Sequence, residues 1–134
     1  MALISLINIS SPLPVSFGRK IQICYNKTIT DGKTYRIFRA YNQGKRAVSL
    51  KFYGIRIHGS KGAFNTMSEK DENEPKDYEY LPFGAVTKGY EIRDGDIILL
   101  LKLKRNVDGK YPCPPIDVAF MEPNGKIYIQ RIKL

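Results

Sequence analysis

The chain has no tryptophan, one histidine and two cysteines among 134 residues. Each shortage removes a class of function. Nucleophilic catalysis needs a nucleophile, a base and an orienting group. The lone His58 could pair with Cys24, but no spacing supports a dyad. His58 lies at a strand end before Gly59, where a plain surface histidine is expected. Two cysteines and one histidine lack the paired spacing of a zinc site. Cys24 and Cys113 are expected to stay reduced and packed. Without tryptophan, a carbohydrate-binding module would rest on the nine tyrosines alone, and it is kept as a second alternative. The glycines are scattered at turns, so no loop cradles phosphate. No catalytic residue, metal or cofactor is expected.

Long apolar runs are also missing. Ala2 to Ile9 is apolar but far too short to span a bilayer. No charged region precedes it and no small-residue cleavage site follows. It reads as a strand, so no membrane partner is expected and the chain is expected to be made and kept in a cytoplasm.

Acidic residues are scarce in one region and crowded in the next. From Ile21 to Gly62, nine Lys/Arg stand against one Asp, giving +8 of the chain's net +9. From Ala63 to Tyr80 the balance is −4, through Glu69, Asp71, Glu72, Glu74, Asp77 and Glu79. Such a split can steer a partner or make one copy complementary to the next. A calcium loop starting at Asp71 would need glycine where Lys76 stands and glutamate where Pro82 stands. The stretch Ser60 to Tyr80 reads instead as a long acidic loop (about 60–80) that orders against a neighbour.

What the sequence does have is a period of two. Val48, Leu50 and Phe52 alternate with polar residues, and after Gly54 the apolar set jumps to Ile55 and Ile57. A one-residue phase change at a glycine predicts a β-bulge. Gly95 to Arg105 reads as the strongest strand, with Ile97, Leu99, Leu101 and Leu103 on one face and Lys102 and Lys104 reaching solvent on the other. Ala2 to Ile9, Lys20 to Tyr25, Lys33 to Tyr41, Val86 to Ile92, Ile116 to Met121 and Lys126 to Ile132 are further strands. Turns are expected at Asp31-Gly32, Asp94-Gly95, Asp108-Gly109 and Asn124-Gly125, with Pro123-Asn124-Gly125 suited to a type I turn and bulge. No segment of ten or more residues carries a helical apolar stripe. The pattern predicts an all-β, antiparallel β-sandwich, immunoglobulin-like or jelly-roll-like. It would hold eight or nine strands and little or no helix in one domain, 1–134. A small OB-like barrel is the alternative.

The segment Lys33 to Arg46 interleaves rings and cations: Tyr35, Arg36, Phe38, Arg39, Tyr41, then Lys45 and Arg46. Single-strand binders use such strands. Alternation divides the set, placing Tyr35, Ile37, Arg39 and Tyr41 on one face and Arg36, Phe38 and Ala40 on the other. Tyr35, Arg36, Arg39, Tyr41, Lys45 and Arg46 are the candidate contacts to a partner or to nucleic acid.

Asp117 to Ile129, with Phe120 followed closely by Pro123, Asn124 and Gly125, resembles the strand–turn–strand segment of immunoglobulin-like modules in bacteriophage baseplate, fibre and capsid proteins. The resemblance covers about a tenth of the chain. It implies a non-enzymatic structural protein of the virion, assembled in the host cytoplasm. Its partners would be other virion proteins or copies of itself, with possible contact to packaged DNA. The acidic residues of the 60–80 loop would then serve as an assembly contact. A single-stranded nucleic-acid-binding module built on Lys33 to Arg46 is the alternative.

Overall fold

The computed structural model describes residues 20–65 and 75–134. Asp31 and Gly32 both take positive φ, 51° and 73°. This is the type I′ geometry, whose twist matches two antiparallel strands. It joins β1 (Ile21–Thr30) to β2 (Lys33–Asn42), paired from Ile21 opposite Asn42 to Thr30 opposite Lys33. The other edge of β2 pairs with β5 (Tyr90–Arg93). β3 (Val48–Ile57) lies between β4 (Glu79–Leu81) and β6 (Ile116–Met121), and β6 continues to β7 (Ile127–Ile132). The described residues thus form two antiparallel sheets, β1-β2-β5 and β4-β3-β6-β7, packed as an all-β sandwich of seven strands and not as one closed barrel.

The β6–β7 turn follows from its three residues. Gly125 N–H donates to the Glu122 carbonyl at 2.9 Å, and Gly125 takes φ 90°. Lys126 N–H is received by the Asn124 side chain at 3.0 Å. A type I turn closed by a left-handed glycine is the three-residue hairpin that Pro-Asn-Gly favours. The register of β3 against β6 slips between Phe52 and Gly54, as the phase change predicts. Gly54 is required there: an added Cβ would lie 2.8 Å from the Asn65 carbonyl oxygen. That close approach lets Ile55 and Asn65 exchange backbone hydrogen bonds of 2.9 and 2.7 Å.

Aromatic rings fill the space between the sheets. Phe52 stacks on Tyr90 at 3.9 Å between centroids, meets Phe120 edge-on at 5.6 Å and lies 6.3 Å from Phe38. Phe38 and Tyr90 come from one sheet, Phe52 and Phe120 from the other. Phe52 therefore joins the layers, adding pairing energy to area burial.

The segment Gly95 to Arg105 is not a strand. Residues Asp94–Leu100 form a short helix, α1. A run of five apolar residues fits either period, and burial decides between them. Ile97 and Leu101, four apart, are buried, whereas Leu99, expected on the same inward face, is 76% exposed. Asp94 and Asp96 occupy the first turn, where the helix dipole favours negative charge. Asp94-Gly95 is therefore a helix start and not a hairpin turn. The helix ends in a Schellman motif: Lys102 N–H donates to the Leu99 carbonyl at 3.2 Å and Leu103 N–H to the Ile98 carbonyl at 3.0 Å. Lys102, with φ 52°, holds the position glycine usually takes.

Two other expectations change. The strand expected over Val86 to Ile92 shortens to Tyr90–Arg93, because Gly89 turns at φ 101° with its backbone pressed against Ile37 and Arg39. Before the turn only an isolated bridge remains, Val86 opposite Tyr41; beside it the Thr87 hydroxyl accepts from Ala40 N–H at 3.0 Å and the Thr87 N–H donates to the Ala40 carbonyl at 2.9 Å. The expected loop of 60–80 ends in β4, which takes up Glu79 and Tyr80. The strand expected at Ala2 to Ile9 lies outside the described residues.

Candidate interaction surface

β2 is the central strand of its sheet, so its alternation becomes a division between core and outer face. Phe38 and Ala40 are fully buried between the sheets. Tyr35, Arg39 and Tyr41 lie half-buried on the outer face, beside Thr28, Cys24 and Gln22 of β1. Arg36 does not join them. Its Nε donates to Asp94 Oδ1 at 3.0 Å and an Nη donates to the Tyr25 hydroxyl, with the side chain 14% exposed. Burial alone would lower its pKa, but the bonds to Tyr25 and Asp94 outweigh that and hold it above its ordinary value. The guanidinium is therefore charged and committed to the fold.

Lys45 and Arg46 are exposed on the turn between β2 and β3, and Asn42 makes that turn. Its side chain is fully buried. The amide nitrogen donates to the carbonyls of Arg46 and Leu81, each at 2.9 Å, and the amide oxygen accepts from Gly44 N–H at 3.0 Å. Leu81 belongs to β4, so one side chain shapes the basic turn and joins the two sheets. An asparagine at a strand end just ahead of Gln43-Gly44 is the only signal the sequence offers for this role.

On the outer face of the larger sheet, Asp117 is buried and accepts from Arg56 Nε at 3.1 Å. His58 Nδ1 lies 2.7 Å from its other oxygen. His58 is exposed, as expected of a surface histidine, and is in addition the partner of a buried carboxylate. Arg56 also lies 4.2 Å over the Phe64 ring, and Tyr53 meets that ring edge-on at 5.5 Å. Lys51 sits 4.7 Å over Tyr78. These contacts hold both ends of the acidic segment against β3. Further along the same face, Met121 stands opposite Ile127 and Ala119 opposite Ile129. Ile127 and Ile129 are 36% and 38% exposed, with Lys126 and Arg131 at their sides.

Among the acidic residues, Glu69, Asp71, Glu72 and Glu74 lie outside the described residues. Asp77 is exposed. Glu79 is turned to a structural task, its carboxylate accepting from Lys88 N–H at 3.1 and 3.3 Å.

Both cysteines are free thiols. Burial pushes Cys24 up to about 12, with Arg39 pulling back against it. Burial also raises Cys113, Arg36 opposing and Asp94 adding to the rise. Both are protonated at neutral pH, which disfavours nucleophilic chemistry. Among the described residues no three His, Cys, Asp or Glu side chains converge as a metal site, and no helix is long and apolar enough to cross a membrane. No family model, curated protein or solved structure matches this chain.

Proposed function

We propose that the protein is a non-enzymatic assembly component, acting through protein–protein contacts in a virion-type particle. Its partners are copies of itself or other virion proteins. The observation that carries this reading is β7. Among the described residues it ends the larger sheet, and it presents Ile127 and Ile129 to solvent in line with Met121. A row of part-exposed apolar side chains on a sheet face is a surface on which another chain can pack. The isoleucines would supply an apolar centre and Lys126 part of a charged rim. The virion setting rests on the likeness at Asp117 to Ile129 and on the recurrence of sandwiches in viral particles.

Light scattering of the purified chain across concentration and salt tests the proposal. The wild type is expected to form a discrete oligomer, weakened by high salt to the extent that charges contribute. Ile129→Lys is expected to shift it toward monomer with the strand circular-dichroism signal retained. A wild type that stays monomeric at every concentration and joins no particle protein refutes the reading.

A second reading is supported by the half-exposed Tyr35, Arg39 and Tyr41 beside the exposed Lys45 and Arg46. These could bind a nucleic-acid single strand, including packaged DNA, by stacking and phosphate contact. A mobility shift at low salt tests it, because the phosphate contribution is largest there. Absence of binding under those conditions removes this alternative.

A further inference from the structure

We propose that the two loops joined at Asn42 form a binding tip for single-stranded nucleic acid, with Phe83 as the ring on which a base stacks and Lys45, Arg46 and Lys88 as the phosphate contacts. The site rests on the nucleic-acid reading above and moves its centre from the outer face of β2 to the end of the sandwich.

The outer face of β2 has little open ring area. Ile37, between Tyr35 and Arg39, is buried, and so are Gln22 and Cys24, the β1 neighbours of Tyr41 and Arg39. Phe83 differs, being 67% exposed. Ala85 N–H donates to the Pro82 carbonyl at 3.0 Å and Gly84 takes φ 80°, the signature of a type II turn with Phe83 at its tip. The ring therefore adds little to the core and is available to a partner.

Asn42 brings the cations to this ring. Its side-chain nitrogen donates to the Arg46 and Leu81 carbonyls, its backbone carbonyl accepts from Gly84 N–H at 2.8 Å, and its own N–H donates to the Ala85 carbonyl at 2.9 Å. The Lys45-Arg46 turn and the Phe83 turn are thus tied side by side. Thr87, bonded to Ala40, carries the exposed Lys88 next to them. Residues 40–46 and 80–88 contain these three cations and no Asp or Glu, a net +3. Cations beside the exposed rings of Phe83 and Tyr80 complement a chain of phosphates that carries flat bases. An anionic bilayer would match the charge but calls for a broader apolar face than one phenyl ring supplies. Because the backbone ties hold both loops before binding, less ordering entropy is lost when a strand docks.

The probes are an oligo-dT of about 12 nucleotides and an abasic chain of the same length, titrated against the full chain at low salt. The wild type is expected to bind oligo-dT at least about tenfold more tightly than the abasic chain, which has phosphates but no bases to stack. Phe83→Ala changes an exposed position, so the variant folds; it is expected to weaken oligo-dT about five- to tenfold and to leave the abasic chain unchanged. Lys45→Gln combined with Arg46→Gln is expected to weaken both and to reduce the slope of log K against log salt by about 1.4. Tyr35→Ala, at the far end of β2, is expected to bind as the wild type does. A wild type that binds neither chain removes the nucleic-acid reading and this site with it. Binding that Phe83→Ala leaves unchanged, or that Tyr35→Ala abolishes, keeps that reading and overturns this site. Equal affinity for the abasic chain overturns the stacking role of Phe83. Capture by phosphatidylserine vesicles in place of oligo-dT, lost in Phe83→Ala, assigns the tip to a membrane surface and overturns the proposal.

Discussion

Replacing Asn42 with alanine removes three hydrogen bonds at once and leaves their partners behind. The Leu81 carbonyl and Gly44 N–H lose buried bonds, and the Arg46 carbonyl loses a partly buried one. A hydrogen bond contributes about 0.5–1.5 kcal/mol net, and a buried group stranded without a partner costs about 1–3 kcal/mol. Since water reaches the Arg46 end most easily, the total expected is about 3–4 kcal/mol. Against a typical ~5–15 kcal/mol of stability this is a large fraction. For a chain of this size it corresponds to a fall in Tm of roughly 10–15 °C. Urea unfolding of the wild type and Asn42→Ala measures the change directly. Hydrogen exchange supplies a second readout, because the Gly44 amide should lose protection before the β1–β2 amides do. Asn42→Asp separates the two halves of the argument. It keeps an acceptor for Gly44 but turns a buried carboxylate toward two carbonyls, so it should be at least as unstable as the alanine variant. A loss below about 1 kcal/mol in Asn42→Ala, with the fold intact, refutes the reasoning.

Phe52→Ala should cost about 3–5 kcal/mol by chemical denaturation, because it empties the position that touches rings from both sheets. Lys102→Gly should raise Tm by a few degrees, since a left-handed backbone costs a side-chain-bearing residue about 1 kcal/mol that glycine does not bear; an unchanged Tm counts against strain there. Cys24 predicts a loss of stability at high pH. Its folded pKa of about 12 exceeds the ordinary 9.0, so above pH 9 the unfolded thiol ionises first. Its contribution is therefore intact below about pH 9 and declines as pH rises toward 12. The stability difference between wild type and Cys24→Ala should shrink by about 2 kcal/mol by pH ~10.5, one pKa unit being about 1.4 kcal/mol; a difference independent of pH sinks this assignment.

Much of the fold was legible because it is written in local pattern. The type I′ turn at Asp31-Gly32, the Pro123-Asn124-Gly125 hairpin and the bulge at Gly54 each depend on a backbone conformation that a few residue types allow. The helix at Asp94 was illegible for the opposite reason. Five consecutive apolar residues satisfy a strand and a helix alike, and a two-turn helix gives no sustained stripe to separate them. The candidate contacts were legible only in part. Alternation placed Tyr35, Arg39 and Tyr41 on one face, but it could not show that Arg36 would be taken up by Tyr25 and Asp94, 11 and 58 residues away. His58 is exposed as expected, but its pairing with Asp117, 59 residues distant, left no local trace.

The chain's own order of residues determined a mainly antiparallel-sheet body, most of its strands and most of the turns between them, since side-chain alternation and turn stereochemistry act over a few neighbours. Tertiary structure alone decided which polar side chains work inside the fold, which apolar ones meet water on β7, and which loops meet at Asn42. Those outcomes depend on groups far apart in sequence competing for the same partners, and no local pattern records who wins.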